Sequence, residues 1–143
     1  NSMNERKDQL TEICHQFEVQ ILYAFGSRAK QISSWLDAEL DALPTGESDG
    51  DIGVKPAKQL TVRQKVQLTQ TLEDLFGLPR IDLVVLPEAD PFVAANVIRG
   101  ERLFAEDSYL ADEYDLYILR RAGDLVPLER ERQALILQKE STL

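Results

Sequence analysis

Only one cysteine, Cys14, occurs in the 143 residues. It has no partner for an internal disulfide and no second thiol for a zinc site, which fits a reducing compartment and leads us to expect a cytoplasmic protein. The single histidine, His15, lies on a stretch of helical periodicity and reads as a helix residue rather than a metal ligand. Long apolar runs are missing as well. The longest, such as residues 81–86, fall far short of the roughly 20 residues a membrane span needs, and Asp82 interrupts that one. The N-terminal residues carry charge from Glu5 to Asp8 and lack the apolar core and small-residue cleavage site of a secretory signal. Basic residues are the scarcer sign, 16 Lys and Arg against 25 Asp and Glu, for a net charge of -9. Long nucleic acids bind through clustered cations that release counterions, so such a partner is not expected. A nucleotide is not excluded, because a few bound cations reverse the local field of an acidic site.

What remains is the composition of a globular domain, 43% hydrophobic and 29% charged, with no repeats or low-complexity segments. We expect a single domain over residues 3–143. Residues 4–17 place Leu10, Ile13, Cys14 and Phe17 on one helical stripe. Residues 19–25 are rich in β-branched and aromatic side chains and stop at Gly26-Ser27, which reads as a buried strand and a tight turn. Residues 30–47 read as an inserted segment. Within it Ile32, Trp35, Leu36, Leu40 and Leu43 suggest one amphipathic helix ended by Pro44-Thr45-Gly46. A short strand follows at 49–55. Thr61 and Gln64 have the spacing of a capping box, and Gly77 and Pro79 close the helix they open, with Val62, Val66, Leu72, Leu75 and Phe76 as its apolar face. A third strand spans 80–86. Asp90-Pro91 caps a helix that ends at Gly100, and 102–105 adds a short edge strand. From Ser108 onward the tail is helical on Leu110, Tyr114, Tyr117 and Ile118, with a break expected near Gly123-Asp124 and a last helix beyond it.

Three features call for a chemical explanation: Gly26-Ser27 after the first strand, Ser48-Asp49-Gly50-Asp51 opening the second, and Asp82 inside an apolar third strand. Side chains two apart on a strand share a face, so Asp49 and Asp51 project together, and Asp82 joins them if its strand is the neighbour. Carboxylates gathered in this way repel one another unless cations or a proton intervene. An all-oxygen set selects hard cations, and magnesium favours one or two carboxylates with substrate phosphates and water. Glycine lets a phosphate approach the backbone, and the helix start after it offers free N–H groups to an anion. Each feature alone has a plainer reading. Gly-Ser is a turn, Asp-x-Asp a solvated strand end, and Asp82 an ion-pair partner of Arg80, since an unpartnered buried carboxylate costs several kcal/mol.

The runs Phe25-Gly26-Ser27-Arg28-Ala29, Ser48-Asp49-Gly50-Asp51-Ile52-Gly53-Val54 and Arg80-Ile81-Asp82-Leu83-Val84, in this order, resemble the minimal nucleotidyltransferases of the DNA polymerase beta superfamily. The resemblance implies an α+β nucleotidyltransferase fold with a small twisted mixed sheet and helices packed largely on one side. It assigns the triphosphate to Gly26 and Ser27, with Arg28 on the phosphates, and two Mg2+ ions to Asp49, Asp51 and Asp82, the last also a general base. It implies transfer of a nucleoside monophosphate, AMP from ATP or the equivalent from another triphosphate, to a protein hydroxyl. The partner it implies is a small helical toxin, with this chain as antitoxin. A catalytically silent module that neutralises a partner by contact and a transferase acting on a small molecule are the alternatives, and oligomeric state is left open. One departure is length: 21 residues separate Ser27 from Asp49, more than the family's usual spacing. Each doubling of a loop costs only about 0.6 kcal/mol of closure entropy, so the site can tolerate it.

Overall fold

The β-branched and aromatic run after the first helix forms the centre of a mixed sheet, and every other element is placed by what it buries against that sheet. The computed structural model describes residues 2–44 and 49–141. In chain order the elements are α1 (Ser2–Gln16), β1 (Val19–Phe25), a 3₁₀ turn (Gly26–Arg28), α2 (Ala29–Leu36), β2 (Gly50–Pro56), α3 (Val62–Phe76), β3 (Ile81–Val85), α4 (Pro91–Ile98), β4 (Glu101–Ala105) and α5 (Ser108–Ser141). The strand order is β3-β2-β1-β4, with β2 and β3 parallel and the other pairs antiparallel.

Alternation divides the strands between two cores. Leu22, Ala24, Ile52, Val54 and Ile81 face Leu10 and Cys14 of α1, Ile32 and Trp35 of α2, and Leu68, Leu72 and Phe76 of α3. Three of the five helices thus pack on this face. Ile21 and Tyr23 turn to the other, where Ala94 and Val97 of α4 and Ala111, Ile118 and Ala122 of α5 cover part of the sheet. Gly53 lies under α4 so closely that an added Cβ would stand 2.3 Å from Val97 Cγ1. Burial of each large side chain in these cores stabilises by about 1.5–3 kcal/mol. Among the described residues no helix is long and apolar enough to cross a membrane.

Helix α3 opens on the expected capping box, Thr61 Oγ1 accepting from Gln64 N–H at 3.1 Å and Gln64 Oε1 accepting from Thr61 N–H at 2.9 Å, and ends at Gly77. Its apolar face differs from the expected one. Leu68, Leu72 and Phe76 are buried, while Val62 and Val66 stand 77% and 50% exposed, since Val66, six residues before Leu72, lies roughly 120° round the helix from it. The helix read through Leu43 stops at Leu36, where Ala38 takes a left-handed φ of 61° and the chain turns back. Arg6 pins the returning segment, donating to the carbonyls of Trp35, Leu40 and Asp41 at 2.6, 2.7 and 3.0 Å with its guanidinium 4.5 Å above the Trp35 ring. No break occurs near Gly123, since α5 continues to Ser141 as one helix. Its buried stripe is Ala111, Ile118 and Ala122; Leu110 and Tyr117, expected on that stripe, are exposed. Thr45, Gly46 and Ser48, which belong to the expected helix stop and to the acidic run, lie outside the described residues.

Candidate active site

β1 ends where β2 begins, because the two strands are antiparallel, and β3 starts alongside β2 because those two are parallel. Phe25 is the register partner of Asp51, and Asp51 is the register partner of Asp82. The two aspartates therefore sit side by side and project to the same face, the one that α4 only partly covers. Asp49 precedes the strand by one position, and its charge reaches the Asp51 carboxyl. Its Oδ2 lies 3.6 Å from Arg80 Nε, so Arg80 pairs with Asp49.

Gly26 closes this corner. It has a φ of +74°, and a Cβ built on it would stand 2.3 Å from Asp51 Oδ2. Any side chain there would be strained by its backbone and would displace the carboxylate. Local electrostatics follow from the register. The Asp51 carboxyl is raised above its ordinary range, first by burial, then by the negative charge of Asp82, then by that of Asp49. Asp82 itself is exposed, which corrects the expectation of a buried carboxylate: β3 is an edge strand and its start is open to solvent. Its place in the row, rather than a burial cost, is what marks it. Among the described residues no group of three His, Cys, Asp or Glu side chains is drawn together tightly enough to hold a metal as it stands. The donors are nevertheless all carboxylate oxygens, the chemistry that suits a hard divalent cation.

On the other side of Gly26 lies a recess of about 440 Å³ whose lining includes Gly26, Ser27, Lys30, Asn96, Arg99 and Glu101. Among the described residues Lys30 and Arg99 have no ion-pair partner, so the recess is cationic in an otherwise acidic chain. None of Lys30, Asn96 and Arg99 belongs to a motif. Lys30 could have been found from its place one helical turn after Ser27, whereas Asn96 and Arg99 arrive through the packing of α4. Arg28 is buried. Its Nε donates to Gln31 Oε1 at 3.2 Å and its guanidinium donates to the Pro44 carbonyl, which ties the Gly-Ser turn to the chain leading toward Asp49.

The sequence profile described as Polymerase beta, Nucleotidyltransferase matches residues 8–109. The chain belongs to this family. The match contains the Gly-Ser turn, all three aspartates, α4 and β4 of the nucleotidyltransferase. No curated protein matches its sequence significantly. Among solved structures, a chain of the toxin-antitoxin complex MntA-HepT aligns with TM-score 0.64 at 19% identity, covering 96% of this chain and 98% of the other. A chain from the tri-AMPylated Shewanella oneidensis HEPN toxin in complex with MNT antitoxin gives TM-score 0.64 at 20% identity, covering 96% and 98%. A toxin-antitoxin structure with AMP-PNP gives 0.63 at 20%, covering 94% and 98%. At these identities the likeness is one of fold.

Proposed function

We propose that this nucleotidyltransferase moves AMP from ATP to a hydroxyl of a partner protein, and that it is the antitoxin of a toxin-antitoxin pair acting in the cytoplasm. The observation that carries the proposal is the register of Asp51 beside Asp82, with Gly26 against the Asp51 carboxylate. Asp49, Asp51 and Asp82 would hold divalent cations, magnesium by their oxygen chemistry. When bound, such ions polarise the α-phosphate and lower the pKa of the attacking hydroxyl.

The chain's own residues do the remaining work. Gly26 and Ser27 hold the triphosphate against the turn, and Lys30 and Arg99 balance its charge in the recess beside them. Arg28 backs that turn from beneath. Asp82, exposed at the sheet edge, accepts the proton of the incoming hydroxyl. The acceptor oxygen forms a bond to the α-phosphorus, the bond between the α-phosphorus and the bridging oxygen breaks, and pyrophosphate leaves. Support for ATP and for a toxin partner comes from the fold neighbours, which include a toxin-antitoxin structure with AMP-PNP and an AMPylated toxin with its antitoxin. The net charge of -9 suits a basic partner.

Mass spectrometry of the protein encoded beside this one, co-expressed with it, tests the reading. The expected result is an added adenylate that disappears with Asp51→Asn or Asp82→Asn. A neighbour whose mass never changes, yet which is neutralised equally by the wild type and by Asp51→Asn, would overturn transfer in favour of inhibition by contact.

A further inference from the structure

The acceptor has to reach Asp82, and β3 is where it can do so. β3 lies at an edge of the four-stranded sheet. The hydrogen bond from Gly50 N–H to the Arg80 carbonyl, at 3.2 Å, fixes the phase of its main chain: positions 80, 82 and 84 turn toward β2, and positions 81, 83 and 85 turn outward. The Ile81 N–H is satisfied by Glu73 Oε2 at 2.9 Å. Among the described residues, the N–H and C=O of Leu83 have no partner. Free edges of this kind template an added strand.

The flank of this edge carries the exposed apolar side chains for which the core has no use. Val62 and Val66, 77% and 50% exposed, stand one helical turn apart on α3. A groove of about 420 Å³ runs between α3 and β3, with Val66, Thr69, Gln70, Ile81, Asp82 and Leu83 in its lining. It is continuous with the candidate site, because Asp82 belongs to both.

We propose that an extended segment of the acceptor protein adds to the sheet beside β3, pairs its main chain with Leu83, and delivers its hydroxyl residue to Asp82. The proposal rests on the nucleotidyl-transfer reading above for the identity of the occupant. Strand periodicity then sets the sequence the edge accepts. A residue opposite Asp82 projects on the acidic face, while its two neighbours project on the α3 face, over Leu83 and Val66. The fitting acceptor is therefore a tyrosine, serine or threonine with an apolar residue on each side, and with cations farther out to match the acidic chain. A small acceptor molecule would have no use for the Leu83 main chain or for Val66.

A peptide array with a fixed tyrosine, serine or threonine and randomised flanks, probed with the full chain in the presence of Mg2+ and AMP-PNP, tests this. Selected peptides are then measured by fluorescence anisotropy and by hydrogen exchange. The expected peptides have apolar residues on both sides of the hydroxyl residue, and they slow exchange of the Leu83 amide. Leu83→Pro removes an outward N–H without breaking the ladder to β2, and Val66→Asp charges the groove on an exposed helix face. Each is expected to weaken peptide binding at least tenfold and to leave AMP-PNP affinity unchanged. An array with no binders, peptides held equally well by both variants, or a dimer of this chain that dissociates with Leu83→Pro would overturn the proposal. If peptides dock as described but accept no nucleotide from ATP, the docking edge stands and the transfer reading fails.

Discussion

Replacing Asp51 with asparagine should make the protein more stable while abolishing transfer. Adjacent strands lie about 4.8 Å apart, and two unit charges at about 5 Å repel by about 0.8 kcal/mol in a water-like dielectric and about 3 kcal/mol at a dielectric near 20. Asp82 is exposed and Asp51 only half-buried, so solvent screening places the value near the lower figure. Asp49 adds less, because Arg80 lies 3.6 Å from it. The expected gain for Asp51→Asn is about 1 kcal/mol, or about 3 °C in Tm for a domain of this size. Folding raises the Asp51 pKa, so the folded chain holds this proton more tightly than the unfolded one. The stability linked to that proton is present below the unfolded carboxylate range, near pH 4, and is lost as pH rises through the raised folded value. The advantage of the variant should therefore be small at pH 4 and complete at pH 7.5. Thermal unfolding in EDTA at both pH values measures it. Wild type should be the one that gains when magnesium and AMP-PNP are added. A variant no more stable than wild type at pH 7.5 in EDTA would show that the three carboxylates do not burden the fold, and the electrostatic account of the site would fail.

Other substitutions probe the remaining parts. Gly26→Ala should cost about 1–2 kcal/mol through its left-handed backbone alone, and should reduce transfer at least tenfold by displacing the Asp51 carboxylate, as read by melting and by turnover. Lys30→Ala with Arg99→Ala should weaken AMP-PNP binding in calorimetry by about tenfold or more while leaving Tm within about 1 °C, since both side chains are exposed and unpaired. Thr61→Ala removes the cap of α3 and should lower stability by about 1 kcal/mol in urea titration. Burial pushes the Cys14 thiol up to about 12, so a thiol reagent should label native protein far more slowly than unfolded protein across pH 7 to 9.

Local chemistry explains which parts of the fold were legible in the sequence. β1 was readable from its own composition, and α3 from Thr61, Gln64 and Gly77, because these signals act within a few residues of themselves. The acidic run, the Gly-Ser turn and Asp82 likewise stand out as residues that their surroundings do not call for. What periodicity could not supply was non-local. Val66 is apolar yet lies roughly 120° round α3 from Leu72, and which side of the helix meets the sheet is set by packing. The helix bond geometry through Gly123 outweighed the residue's poor propensity. The row Phe25, Asp51 and Asp82 depends on a strand register that no single segment encodes. Arg6 and Arg28, scattered as cations in the sequence, turn out to clamp the two ends of the segment after α2.

The contact between Gly26 and Asp51 has an evolutionary corollary. In descendants of this chain that have lost the reaction and replaced Asp51 with a smaller side chain, position 26 is released from steric exclusion and keeps only its left-handed dihedral, which asparagine tolerates. The two positions should then drift together, so that loss of glycine at 26 becomes a readable trace of a lineage that has given up catalysis.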